Sequence, residues 1–353
     1  MANRVTGTTD TTGAISVRQK MSKSLLIVCE NDKGSAVAEK IYSITGTADA
    51  KTKFGSKVHD LVKILINNGV SNIKCISVDK YGAELSNKYS TVAAAYAGAL
   101  QVSLSDNTIK TVILDTNNEG IVSELKTHLN NAESEDMFRY GVVGSASTTI
   151  DDAVSEAGSV NDKRIFMTFP NFVSSDNSEL SGIYSAAGLA SLIMTETSDP
   201  AMPMNGVEIV GFGGTSMSLL KADKDELEQG GITAIVGNST PFVWRLVTTY
   251  QTDEIWHEGT TLFIADDILE TMISTLQSTY KRTKNTTRVL DAIRTTVIGV
   301  LEAKEGLEII ENFDKNTVSV MQDPNDIYGV LIDYEFNVVT PLYTITITQH
   351  MKL

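Results

Sequence analysis

The chain of 353 residues has only two cysteines, six prolines and two tryptophans, and aromatic residues make up 7% of it. Two cysteines cannot staple a chain of this length, so a disulfide framework is excluded as its organising device. Cys29 and Cys75 each lie in an apolar run, SLLIVCE and IKCISVD, which reads as a buried, reduced thiol. The four histidines, His59, His128, His257 and His350, are scattered and lack the spacing of a zinc site. His59 and His128 fall within amphipathic helical patterns and are expected at the surface or its boundary. A histidine triad needs only proximity in space, so spacing leaves that question open. No run approaches the ~18 apolar residues of a membrane-spanning helix. The N-terminal MANRVTGTTDTTGAISVRQK lacks the apolar stretch of a secretory signal. The expectation is a chain made and folded in the cytoplasm, leaving only with a larger object or by lysis. Positive charge is also scarce: 29 Lys and Arg face 44 Asp and Glu, a formal net charge of -15. That argues against general binding to nucleic acid or to an anionic membrane.

A hydrophobic content of 42% is ample for a packed core, and the length accommodates two domains. Residues 1–23 are polar and rich in Thr and Gly, and read as an arm. Within them AISVR is compatible with a short strand carrying Ile15 and Val17 on one face. Residues 24–200 alternate short, wholly apolar strands (SLLIVCE, IKCISV, KTVILD, RYGVVG, KRIFMTFP) with helical patterns. Those patterns are KVHDLVKILINNG, YSTVAAAYAGALQVSL, EGIVSELKTHLNNA, IDDAVSEAGS and LSGIYSAAGLASLIMTE. Strands apolar on both faces that alternate with helices define an α/β fold, a mainly parallel or mixed sheet flanked by helices. SDPAMPMNG, with two of the prolines, marks the expected boundary of a second domain at 201–334. There VEIV and PFVWRLVTTYQ read as strands, and KDELEQGG as a helix leading into the strand ITAIV. Two long helices follow, over IADDILETMISTLQSTYKR and RVLDAIRTTVIGVLEAKEGLEIIENF.

The chemistry-bearing patterns are weak. GFGGTS at 211–216 follows an expected strand but lacks the P-loop and dinucleotide spacings, and reads as a tight turn. VVGSAS at 142–147 is not a G-x-S-x-G nucleophile elbow. The pairs Asp151-Asp152 and Asp266-Asp267 are expected near helix starts, where carboxylates favour the helix dipole. No catalytic, cofactor-binding or metal-ligating residue is assigned. One basic cluster stands out: Lys281, Arg282, Lys284, Arg288 and Arg294, with Asp291 the only acid among them. It reads either as an exposed helix junction or as a contact for an acidic partner.

The C-terminal arm, 335–353, belongs to a strand-rich tail. Val330, Ile332, Tyr334, Phe336 and Val338 are apolar at alternate positions, the period of a half-buried strand. Thr340-Pro341 interrupts the run, because proline has no N–H to give to a ladder. Beyond it the parity flips, with Tyr343, Ile345 and Ile347 on one face and threonines on the other. Such a strand pairs either within its own domain or with another copy of the chain.

From VEIVGFGGTSMSLLKADKDELEQGGITAIV, through PFVWRLVTTYQ and the two long helices, to DIYGVLIDYEFNVVTPLYTITIT, the C-terminal third resembles the contractile tail sheath proteins of bacteriophages and R-type bacteriocins, diffocin-type sheaths among them. The resemblance covers roughly 205–353; residues 24–200 share only the α/β rhythm. It implies a structural subunit, not an enzyme, and no cofactor. Many copies would form a helical or stacked-ring sheath around an inner tail tube, with baseplate and tail terminator proteins as further partners, in a phage tail or tail-like particle released from a bacterium on lysis. It also implies extended N- and C-terminal β arms for inter-subunit strand exchange. Ile15 and Val17 would pair against Tyr343, Ile345 and Ile347, with Pro341 as the hinge, and the basic cluster would face the tube. The resemblance further implies an outward-facing 24–200 domain and a tube-proximal 201–334 domain. The competing reading is an α/β enzyme or nucleotide-binding protein with an oligomerisation arm. A tube, baseplate or cell-surface component of the same kind of particle is disfavoured by the α/β rhythm.

Overall fold

The structure, a computed structural model, describes residues 23–351 apart from 33, 82, 83, 86, 87, 327 and 344. The chain forms two compact units. One joins the segment ending at Ser198 to Met202–Leu262; the other joins Asp199–Ala201 to the segment beginning at Phe263.

The first unit runs, in chain order, β1 (Ser24–Asn31), β2 (Ile41–Ile44), α1 (Thr47–Phe54), α2 (Ser56–Asn67), β3 (Ile73–Tyr81) and β4 (Glu84–Leu85). It continues through α3 (Val92–Ser103), β5 (Ile109–Leu114), α4 (Glu119–Ser134), β6 (Tyr140–Gly144), α5 (Ile150–Val160), β7 (Ile165–Phe169), β8 (Phe172–Val173) and α6 (Gly182–Glu196). It closes with β9 (Gly214–Thr215), α7 (Lys221–Gln229), β10 (Ile232–Val236), β11 (Phe242–Val243) and α8 (Glu254–His257). Among the described residues one sheet has nine strands, in the order β11-β10-β7-β6-β5-β1-β3-β2, with β4 also on β3. β3, β1, β5, β6, β7 and β10 are parallel; β2, β4 and β11 are antiparallel additions. This is the mainly parallel sheet that the apolar strands require. Leu25, Leu26, Ile27, Val28 and Cys29 of β1 are all fully buried. Burying each large aliphatic side chain among them stabilises the fold by roughly 1.5–3 kcal/mol.

The helices form where spacing and termini allow. In α2, Val58, Leu61, Val62 and Leu65 fall on one face and are buried. The helix ends because Gly69 adopts φ +90, so that its N–H reaches Ile66 O at 3.0 Å and Val70 N–H reaches Leu65 O at 2.9 Å. Ile66, four residues on from Val62 in the same apolar pattern, is instead exposed. Thr149 caps α5, its hydroxyl oxygen accepting from Asp152 N at 3.3 Å. Asp151 and Asp152 therefore occupy the first turn, as their helix-start reading requires.

Several expectations need correction. The units do not divide at 200. β10 pairs with β7 and extends the same sheet, which holds Met202–Leu262 in the first unit. VEIV is not a strand; Glu208 makes a single antiparallel bridge to Phe242. Of PFVWRLVTTYQ only Phe242–Val243 joins a ladder. Within the remainder, residues 246–249 are pinned as a buried loop, with Thr249 N–H donating to Ile165 O at 2.9 Å and the Thr249 hydroxyl to Asp162 O at 2.9 Å.

His128 is buried, not at the boundary. It faces Arg139, which is also fully buried and donates from Nη2 to the carbonyls of Ser103 at 3.0 Å and Asp106 at 2.8 Å. Arg139 Nη1 lies 3.1 Å from His128 Nε2. A guanidinium only donates, so His128 is neutral there, with its proton on Nδ1. Burial, and then the Arg139 charge, push the His128 pKa down to about 3.

The second unit holds α9 (Gly259–Tyr280) from Phe263 onward, α10 (Thr287–Gly306), β12 (Ile310–Glu311), β13 (Ser319–Gln322), β14 (Val330–Asp333) and β15 (Asn337–Val338). Ile264, Ile268 and Met272 of α9 pack with Ile293, Val297, Val300 and Leu301 of α10. The expected helix through LEIIENF stops at Gly306; Ile310 begins a strand instead. Asp266 and Asp267 lie two turns into α9 and are buried, so they do not serve its N-terminus. The alternating apolar set behaves as its parity demands: Val330, Ile332, Tyr334, Phe336 and Val338 all pack on the core. The expected single strand is nevertheless two, β14 paired antiparallel to β13 and β15 to β12.

Two outcomes follow from the first unit. A Cβ on Gly144 would stand 1.9 Å from Gly182 O, a backbone atom at the start of α6. Gly144→Ala is expected to cost about 1–3 kcal/mol or more, read as a lowered urea midpoint at unchanged slope. For His128 the folded pKa lies below the unfolded value of about 6.5. The unfolded chain thus takes up the proton first, and stability present above pH ~6.5 is lost as pH falls toward 3. His128→Gln is expected to lose less Tm than the parent between pH 6.5 and 4; equal slopes in circular dichroism melts would refute the role.

Candidate assembly site

In an open parallel sheet a small-molecule site belongs at the carboxyl ends of the strands where the order reverses. Here that point lies between β1 and β5, because β3 follows on one side and β6 on the other. Asp115, just past β5, is buried there. The Tyr96 hydroxyl donates to its Oδ1, and Glu30 N–H donates to Oδ2 at 3.1 Å. Lys57 Nζ stands 3.7 Å from Oδ2 and donates to Asp115 O at 3.1 Å. Burial pushes the Asp115 carboxyl up, while Tyr96 and Lys57 oppose it. Glu30 itself receives Lys80 Nζ at 2.6 Å. The cluster spends its donors and acceptors on itself, which is the economy of a strand-end tie rather than of a substrate cradle.

The glycine loop at 211–216 is committed in the same way. Gly213 N–H donates to Val173 O at 2.9 Å, Thr215 N–H to Gly237 O at 2.9 Å, and Ser216 N–H to Asn171 O at 2.8 Å. Its amides hold neighbouring loops, in keeping with the tight-turn reading. Ser145, at the end of β6, donates to Glu156 Oε2 at 2.6 Å, not to a histidine. Among the described residues, no group of three or more His, Cys, Asp and Glu is placed to hold a metal ion. Cys29 and Cys75 are free and buried, and burial pushes both thiols up. That is the opposite of an activated nucleophile.

The second unit carries the basic cluster and the C-terminal tail. Lys281, Arg282 and Lys284 lie in the exposed connection between α9 and α10, and Arg288 is exposed in the first turn of α10. Arg294 differs from them. It is half-buried, its Nε donating to Val318 O at 2.9 Å and its Nη2 to Lys315 O at 2.9 Å, so it ties α10 to the segment before β13. The structure thus brings four of the five basic residues to one exposed junction and turns the fifth to a structural task.

Pro341 is half-buried, directly after the exposed Thr340. Described residues from 339 to 351 form no strand within the chain. Ile345 and Ile347 are exposed, at 75% and 86%, and Tyr343 is half-buried. Ile15 and Val17 lie outside the described residues. β13 has no clear alternation of apolar and polar residues in its sequence. Its partner β14 leaves Met321 and Leu331 directly opposite one another on the exposed face. Two exposed apolar residues in register were the available signal.

Residues 251–352 match the family described as the phage tail sheath C-terminal domain. The chain as a whole has the fold of sheath proteins from contractile tails. The crystal structure of a sheath tail protein from Desulfitobacterium hafniense superposes with a TM-score of 0.68 at 10% identity, over 96% of this chain and 100% of that one. A sheath tail protein from Listeria innocua gives 0.69 at 11% identity, over 91% and 93%. The anti-feeding prophage helical sheath, in its contracted state, gives 0.73 at 15% identity, over 99% of each chain. At such identities the likeness is one of fold. No curated protein matches the chain.

Proposed function

We propose that this chain is the structural subunit of a contractile tail sheath. Many copies polymerise around an inner tube, and contraction drives the tube through a target cell envelope. The observation that carries this reading is double: a sheath-family match over 251–352, and a sheath fold across 99% of the chain. In this role the chain needs no catalytic residue, because the free energy for contraction is stored in the extended assembly. The self-satisfied polar cluster around Asp115 supports that assignment over the enzyme reading.

The further parts of the reading rest on the second unit. The exposed tail beyond Pro341 pairs with other copies, with Tyr343, Ile345 and Ile347 buried in the shared ladder and Ile15 and Val17 on the strand that meets it. The basic junction of Lys281, Arg282, Lys284 and Arg288 faces an acidic tube surface. Baseplate and terminator proteins bound the assembly at its ends, in a phage tail or R-type bacteriocin particle made in a bacterial cytoplasm and released on lysis.

Negative-stain microscopy of the purified chain is expected to show long striated cylinders, and a version ending at Thr340 is expected to show none. A full-length chain that stays compact and monomeric at high concentration would remove the reading. Arg282→Glu with Lys284→Glu is expected to lower tube decoration at least tenfold while leaving sheath-only cylinders intact. Undiminished decoration would take the junction off the tube.

A further inference from the structure

Deep in the second unit, Lys304 Nζ forms an ion pair with Asp267 Oδ2, and the two side chains are only 7% and 5% exposed. Ile264, Ile268 and Leu301 lie one helical turn or less along the chain from the pair, in the core that α9 and α10 share, and the buried Asp266 and Thr271 lie beside it on α9. A buried ion pair is a poor way to gain stability, because desolvating both charges offsets most of their attraction. What it supplies is direction. Apolar side chains tolerate a slip of one helix along another, whereas a charge-assisted hydrogen bond has one satisfactory geometry.

The place where that geometry is fixed matters. Lys304 sits in the last turn of α10, and its carbonyl accepts from Leu307 N at 3.3 Å and Ile309 N at 3.1 Å. One residue so fastens α10 to α9 through its side chain and shapes the turn into β12 through its main chain. β12 then pairs Ile310 with Val338 and Glu311 with Asn337 of β15, and Val339 N–H reaches back to Ile309 O at 3.5 Å. The C-terminal tail departs directly after this contact, at Thr340.

We propose that Asp267 and Lys304 are positioning residues that set the direction in which the C-terminal segment leaves the unit. The pair selects one register of α9 against α10, and through the turn at Lys304 and the short β12–β15 ladder it aims the tail from a fixed root. In the sheath reading, on which the tail's purpose rests, every copy must present its tail at the same angle for a regular polymer to grow. A pair that specifies orientation at some expense of stability is suited to that demand. The geometric claim itself concerns a single chain and stands apart from whether copies polymerise.

The test places nitroxide labels at Thr295→Cys on α10 and Thr340→Cys at the tail root, both exposed positions of the full chain. Cys29 and Cys75 are buried, so labelling falls on the introduced thiols. Labelled chain is diluted into unlabelled chain, and the distance distribution is measured by pulsed electron resonance beside a thermal melt. The parent is expected to give one narrow distance. Asp267→Leu with Lys304→Met is expected to keep the parent Tm within a few degrees or exceed it, and to broaden or split the distribution. Asp267→Asn with Lys304→Gln, which keeps a directional hydrogen bond without charge, is expected to stay narrow. A narrow, unshifted distribution in the Leu/Met variant overturns the proposal. So does a Leu/Met variant that fails to fold, since the pair would then be a stability element. Cylinder formation by the unlabelled parent, scored separately, reports on the sheath reading alone.

Discussion

Everything in the first unit follows from a strand that can touch no water. β1 has parallel partners on both sides, β3 and β5, and its central residues are wholly buried. A strand in that position needs helices on both faces of the sheet, and a parallel neighbour can be reached only by a long crossover. The chain meets both demands with the same segments. α2, α3, α4, α5 and α6 cross between strands and cover the sheet as they go. The ends of the parallel strands are then left to polar ties. At a carboxyl end Asp115 bonds Tyr96 and the Glu30 amide, and at the amino end of β7 the Asp162 N–H donates to the Thr249 hydroxyl. Many proteins of this architecture keep carboxyl ends open for a ligand; here the Asp115 end is bonded to the chain itself.

The second unit answers a different constraint. It has a helix pair and two short ladders, and too little sheet to bury much on its own. Its order depends on contacts made along α10. Arg294 holds the chain before β13, Lys304 holds α9, and Tyr280 reaches Thr296 at 2.8 Å across the helix pair. Such anchoring by side chains is economical where few backbone ladders exist. It leaves the exposed faces, among them the basic junction and the Met321–Leu331 pair, free of internal duty.

The sequence disclosed the first unit well and the second unevenly, for physical reasons. Runs such as SLLIVCE and KTVILD have one interpretation, because buried parallel strands are apolar on both faces. The stop of α2 at Asn68-Gly69 was equally legible, since only the left-handed conformation of Gly69 ends the helix there. PFVWRLVTTYQ misled because β-branched residues also suit a buried loop when hydroxyls of threonine take over the backbone's hydrogen bonds. His128 misled because its partner, Arg139, is adjacent in space but eleven residues away in sequence, and nothing in the local pattern announces a buried guanidinium. Of the basic cluster, Arg294 could not be told from its neighbours. Its task depends on carbonyls at Lys315 and Val318 that only the folded chain brings to it.

The inward set from Val330 to Val338 runs through two ladders with different partners, β13 and then β12, without a change of parity. A one-residue slip in either ladder would turn its apolar residues outward, and the unbroken parity would carry the error into the other. The two ladders therefore check each other. Neither is long enough to fix its own alignment, yet a misaligned chain fails in both at once. Correct alignment of this segment is thus decided once, for both ladders together, when its apolar residues pack on the helix pair.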